Sequence, residues 1–178
     1  MISVAVLGAG RIGHIHARNV AAHRGAKLAG VMDVDRAAAE RLAASCGAAA
    51  ISLDTALQAD AVMICTPTST HADLIERAAA AGKPVFSEKP VDLSAERVRA
   101  CLGVVERADI PLMVGFNRRF DPSFRALHDR LRGGEIGAPE VLTIISRDPA
   151  PPHAGYVATS GGLFRDMMIH DLDMARFL

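Results

Sequence analysis

The chain has no tryptophan, one tyrosine and three cysteines, and its charges cancel at 20 Lys+Arg against 20 Asp+Glu. Each shortage excludes something. With aromatics at 4%, a surface that stacks single-stranded bases is not expected. Without a surplus of positive charge there is no field to draw in duplex nucleic acid or an anionic membrane. Cys46, Cys65 and Cys101 lie far apart and form no Cys-x-x-Cys pair. That odd, scattered set argues against a disulfide framework or a zinc site and fits a reducing compartment. No apolar run approaches the roughly 18 residues that would span a bilayer. The first apolar stretch, residues 2–7, is too short for a signal-peptide core, follows no basic region and runs into glycines. The expectation is a cytoplasmic protein that binds no metal, no nucleic acid and no membrane.

What is present is a core. Half of the 178 residues are hydrophobic, enough for one domain of the usual size with something left over. Short β-branched runs at 2–7, 27–33, 61–65, 84–87 and 112–115 alternate with helical stretches at 12–22, 36–45, 70–81 and 94–108. Gly47 and Gly82 stand as helix stop signals, and Ser94 as a cap. Strands alternating with helices of this length predict βαβ units, a parallel sheet and right-handed crossovers. The rhythm changes after Asn117. A connecting helix is expected over 120–132, a strand over 141–147 and a helix over 162–178. The fold class is therefore α/β: a doubly wound Rossmann sheet over 1–118, then the start of a second α/β or α+β domain over 119–178. The last helix ends on Phe177-Leu178 with no polar tail, from which a fragment or a truncated product is expected.

Gly8-Ala9-Gly10-Arg11-Ile12-Gly13 matches G-x-G-x-x-G, a weak pattern alone, but here it follows a strand and opens a helix. The first glycine permits the tight turn, the second lets backbone approach a pyrophosphate, and the third lets helix and strand pack closely. Free N–H groups and the helix dipole then face the phosphates. Asp33 lies twenty residues beyond Gly13, at the end of the second strand. A carboxylate there accepts hydrogen bonds from the adenosine ribose and repels a 2′-phosphate, which favours NAD over NADP, with Arg36 nearby working the other way.

Glu88-Lys89-Pro90 follows the fourth strand at the carboxyl edge of the sheet, where ligands bind in this architecture. Lys89 there can reach a substrate hydroxyl beside the nicotinamide; a plain surface lysine is the alternative. Asp166 and His170 are four apart on the last expected helix and so share a face, with Asp173 near it. That spacing suits a carboxylate orienting an imidazole that takes a proton, against the alternative of a solvated polar face. His14, His16, His23, His128 and His153 are expected in surface or packing roles, with an approach to the cofactor as the alternative for His16, and the proline-rich run at 148–152 as an extended loop.

Five motifs occur in one order: residues 8–13; Cys65-Thr66-Pro67-Thr68-Ser69-Thr70-His71; Ser87-Glu88-Lys89-Pro90; Gly115-Phe116-Asn117-Arg118-Arg119-Phe120-Asp121-Pro122; and Gly161-Gly162 through Asp166, His170, Asp171 and Asp173. Together they resemble the glucose–fructose oxidoreductase/inositol dehydrogenase family over essentially the whole chain. The fourth and fifth motifs point to its inositol 2-dehydrogenase branch. The resemblance implies oxidation of a secondary alcohol of a cyclitol or sugar by NAD, most specifically myo-inositol to its 2-keto product. It implies that Lys89 bonds the reacting oxygen, that His170 accepts the proton, and that Asp166 partners His170 and contacts substrate. Thr66, Pro67 and His71 would line the nicotinamide side with Glu88 close by, and Asn117 and Arg118 would lie near the substrate. Family members are about twice as long, and the full-length protein would be a homo-oligomer. Two alternatives stand beside this: a dehydrogenase of the same family with another polyol, and a truncated NAD-binding fragment without catalysis.

Overall fold

A computed structural model of the chain describes residues 1–152, 154–157 and 160–178. It divides into two units, Met1–Gly115 and Phe116–Leu178.

The first unit runs β1 (Ile2–Leu7), α1 (Arg11–Ala22), β2 (Ala26–Met32), α2 (Arg36–Ser45), α3 (Leu53–Ala56), β3 (Ala61–Ile64), α4 (His71–Ala80), β4 (Val85–Ser87), α5 (Ala95–Ala108) and β5 (Leu112–Val114). All strand pairings are parallel, in the order β2-β1-β3-β4-β5. β1 is apolar at nearly every position because helices cover the sheet on both sides. Ala5 and Leu7 pack with Val62, Ile64, Ile75, Ala78 and Cys101. Val4 and Val6 point the other way, into Ala17, Val20, Leu42 and Ala43. Each fully buried Leu or Ile in these layers contributes about 1.5–3 kcal/mol relative to exposure. Ser3 ties the start of β1 to the entry of β3: its hydroxyl donates to Asp60 Oδ2 at 2.8 Å and accepts the Asp60 N–H at 3.0 Å.

The caps explain where the helices begin. The Asp35 side chain accepts from Ala38 N–H at the head of α2, and Ser94 accepts from Arg97 N–H at the head of α5. Arg97, at the position where a capping box would place a glutamate, sends its guanidinium instead to Glu76 and Asp73 on α4. α3, capped by Ser52, is an element that the hydrophobic pattern does not announce.

The second unit opens with a 3-10 turn, Asn117–Phe120, followed by α6 (Pro122–Arg132), α7 (Ala154–Val157), α8 (Leu163–Asp166) and α9 (Met168–Phe177). α6 has a complete start signal: Asp121 accepts from Ser123 and Phe124 N–H, with Pro122 in the first turn. Two expectations are corrected here. Residues 141–147 form no strand; a short apolar run between turn residues favours one, but a strand exists only when another pairs with it, and no partner strand lies among the described residues. The helix expected over 162–178 is interrupted at Met167, so Asp166 ends one short helix while His170 sits in the first turn of the next.

Candidate active site

In the first unit the strand order reverses between β1 and β3, and the carboxyl ends of these two strands flank the crevice where α/β sheets bind ligands. The glycine loop leaves β1 at this point. Gly8 has φ +107°, and a Cβ on it would lie 2.6 Å from the Cys65 carbonyl oxygen; one on Gly13 would lie 1.9 Å from the Gly8 carbonyl oxygen. Gly10 is different: a Cβ there meets nothing within 4 Å. The loop is thus packed against protein at its first and third glycines and open at its second. Behind it, the start of α1 carries no side-chain cap and no acidic residue, leaving its N–H groups and positive dipole end for an anion. Exposed Arg11 and half-buried Ile12 begin that helix.

Asp33 faces the same loop. Its Oδ2 accepts the Ala9 N–H at 2.6 Å and its Oδ1 the Asp35 N–H at 2.8 Å. The carboxylate is held in place by backbone donors and keeps lone pairs for ribose hydroxyls. Arg36, the residue that works against NAD selectivity, donates to Glu40 one helical turn on, at 2.9 Å. An open second glycine, an uncapped helix and an oriented carboxylate fit a dinucleotide.

At the end of β3, Thr66 is half-buried and Pro67 exposed, and the Thr70 hydroxyl lies 2.8 Å from both Thr66 Oγ1 and the Pro67 carbonyl. His71 follows at the head of α4. It is 1% exposed, with Nδ1 2.8 Å from the Pro90 carbonyl and Nε2 2.7 Å from the Thr66 carbonyl. It is an internal strut joining the loops after β3 and β4. The Cys65 thiol beneath is pushed up to about 12 by burial, with the Glu88 charge adding to the effect, so it supplies no thiolate.

The loop after β4 holds Glu88, half-buried Lys89 and a cis Lys89–Pro90 peptide bond. Ser87 Oγ donates to the Glu88 carbonyl at 3.0 Å. Glu88 Oε1 lies 2.8 Å from His16 Nε2. Burial pushes the Glu88 carboxyl up, but the His16 hydrogen bond and charge, then the Lys89 N–H and charge, outweigh it and leave the group below its ordinary value. His16 was expected in a surface or packing role; the structure makes it a partner of this loop. Its only signal in the sequence is its place one turn after Gly13 on α1, which does not reveal which loop it meets.

In the second unit, the turn carrying exposed Asn117 and half-buried Arg118 is fastened to α9. Arg118 donates to Asp171 and, at 3.2 Å, to Ser146 Oγ; the Ser146 hydroxyl donates to Asp171 at 2.5 Å. Burial pushes the Asp171 carboxyl up, but Ser146, Arg118 and the His170 charge bring it below the usual carboxylate range. Arg119 grips Asp173 through two bonds of 2.8 and 2.5 Å, and the same bonds raise its own basicity. Asp166 accepts the Tyr156 hydroxyl at 2.7 Å, a partner that spacing alone did not suggest. His14, His23 and His128 sit outside these clusters, His128 stacked on Phe177; His153 lies outside the described residues. Among the described residues no group of three or more His, Cys, Asp or Glu is placed to hold a metal, and no helix is long and apolar enough to cross a membrane.

A glycine loop and an acidic ribose partner at a strand-order switch define a dinucleotide-binding domain of the Rossmann class. The chain belongs to the GFO/IDH/MocA oxidoreductase family: residues 2–116 match its NAD-binding Rossmann fold and residues 124–178 its C-terminal domain. An inositol 2-dehydrogenase of Rhizobium meliloti (strain 1021) is 56% identical over 176 residues, 97% of this chain and 53% of that protein. The crystal structure of a myo-inositol dehydrogenase from Corynebacterium glutamicum is 51% identical, with a TM-score of 0.93 over 99% of this chain and 54% of that one. That of scyllo-inositol dehydrogenase from Lactobacillus casei, with bound NAD(H) and scyllo-inositol, is 32% identical, with a TM-score of 0.82 over 99% and 56%. The chain spans about half the length of the curated relatives it matches.

Proposed function

We propose that this chain carries the cofactor site and catalytic residues of an NAD-dependent dehydrogenase that oxidises a secondary alcohol of a cyclitol or sugar, specifically myo-inositol to its 2-keto product. The observation that carries the proposal is Lys89 at the carboxyl end of β4 beside the strand-order switch, in a chain 56% identical to an inositol 2-dehydrogenase.

Gly8, Gly10, Arg11, Ile12 and Gly13 take the pyrophosphate and Asp33 the adenosine ribose, with Thr66, Pro67 and Glu88 on the nicotinamide side. When bound, NAD supplies the hydride acceptor. A carbinol carbon gives up hydride readily only as its hydroxyl loses a proton, so the reaction needs a base and a group that stabilises the developing alkoxide. His170 takes the hydroxyl proton, and Asp166 orients the imidazole and contacts substrate. Lys89 hydrogen-bonds the reacting oxygen and stabilises its charge. Asn117 contacts the polyol, and Arg118, already serving Asp171 and Ser146, has further N–H donors for a hydroxyl. The full assembly is a cytoplasmic homo-oligomer.

The test is NADH formation from NAD and myo-inositol. Lys89→Ala and His170→Ala are each expected to lower kcat by about 100-fold or more, with NAD binding by calorimetry retained. NAD binding with no turnover would support a nucleotide-binding module instead, and faster turnover with an aldose than with any inositol isomer would move the substrate to a sugar.

A further inference from the structure

We infer that His16, acting through the Glu88 carboxylate, is a positioning residue for Lys89. The inference rests on the reading of Lys89 as the group that bonds the reacting oxygen.

His16 and Glu88 come from different elements, α1 and the loop after β4, and meet at 2.8 Å with side chains only 19% and 20% exposed. The pair is closely packed. The His16 ring stands edge-on to Phe86, centroids 5.0 Å apart. Gly115 lies close by: a methyl group there would come within 3.1 Å of Phe86 Cζ and 3.3 Å of Glu88 Oε1, the oxygen that His16 engages. Glu88 immediately precedes Lys89, so the carboxylate that His16 holds belongs to the residue whose carbonyl forms the Lys89 peptide group. It therefore passes the position of α1 on to the peptide group from which the Lys89 side chain departs.

The neighbouring peptide groups are braced as well. Glu88 N–H donates to the Ile64 carbonyl at 2.9 Å, Ser87 Oγ holds the Glu88 carbonyl, and His71 Nδ1 lies on the Pro90 carbonyl. The Glu88 side chain, with several torsions of its own, is the part of this loop that His16 holds. A half-buried carboxylate without His16 loses its hydrogen-bonding and charge partner and is drawn toward water or protonation. Either change loosens the residue that precedes Lys89. His16 thus sets the aim of the lysine without touching the reacting atoms, as a supporting residue orients a catalytic one.

The chain has three lysines, Lys27, Lys83 and Lys89, so labelling with [15N]lysine yields three backbone amide signals, and Lys89→Arg assigns the third. In His16→Ala the Lys89 amide is expected to move while those of Lys27 and Lys83 stay. His16→Gln keeps an N–H donor where Nε2 lies and is expected to return the signal toward its native place. Gly115→Ala, which crowds Phe86 and the same carboxylate, is expected to move it as well. In turnover with NAD and myo-inositol, His16→Ala is expected to lower kcat about tenfold, with the NAD Kd within about twofold and His16→Gln restoring most of the rate. An unmoved Lys89 amide in His16→Ala overturns the inference. So does a loss confined to NAD affinity, which would make His16 part of the cofactor cradle. A Lys89 amide that responds to His16 while Lys89→Ala leaves turnover unchanged upholds the coupling and overturns the reading of Lys89, which separates the two failures.

Discussion

Asp33 is fastened by two backbone N–H groups before any ribose arrives. Asp33→Asn preserves its shape and removes its charge. Calorimetry with both cofactors is expected to show NAD weakened about tenfold, the loss of one charge-assisted hydrogen bond, with a smaller penalty against NADP. The glycines of the loop separate in the same way. Gly13→Ala places a methyl group 1.9 Å from a backbone oxygen, and thermal unfolding is expected to show a loss of about 3 kcal/mol, the upper part of the overpacking range. Gly10→Ala meets nothing within 4 Å, so the Tm is expected to hold while NAD affinity falls. The motif already gives the glycines separate roles; their surroundings add that Gly13 is packed against backbone while Gly10 faces open space.

At the scale of elements, the 3-10 turn at Asn117–Phe120 and helix α9 are joined by adjacent arginines that take aspartates two residues apart, Arg118 with Asp171 and Arg119 with Asp173. The helix that carries His170 is thereby held in register. Asp171 titrates below its ordinary value. A carboxylate with a depressed folded pKa adds stability above its unfolded value of about 3.9 and loses it as pH falls through the folded value. Hydrogen exchange in α9 is expected to show Asp171→Asn less protected by about 1 kcal/mol near neutrality, where the pair is part-exposed and solvent-screened. The difference should close as pH falls below about 4. Equal protection at all pH values would mean that Arg118 holds α9 without charge.

For the whole molecule, cofactor binding and stability are linked, because a ligand that binds only the folded state stabilises it by mass action. NAD at about 100 times its Kd is expected to add about 2.7 kcal/mol to the unfolding free energy of the first unit. Scanning calorimetry should show a rise in Tm with NAD and a smaller one with NADP at equal concentration. A larger rise with NADP would reverse the assignment of Asp33 as the selecting residue. The five parallel strands and the order of the helices between them were legible because each is a local pattern: β-branched runs, caps and stop signals act within a few residues. The run at 141–147 was misjudged as a strand because a short apolar run between turn residues does not show whether a neighbouring strand exists. Asp166 and His170 kept their spacing, yet the helix between them breaks at Met167, a boundary with no proline or glycine to mark it.

The sequence by itself determined the Rossmann class, the family and the glycine loop with the acid that follows it, since each depends on residues close together in the chain and on a fixed order of motifs. Only the tertiary structure decided what His71 and His16 do. One is buried between two backbone carbonyls and the other faces a carboxylate 72 residues away in the chain. The physical reason is that a hydrogen bond depends on distance in space. Parallel strands joined by crossovers bring together loops whose separation in the chain leaves no periodicity to read.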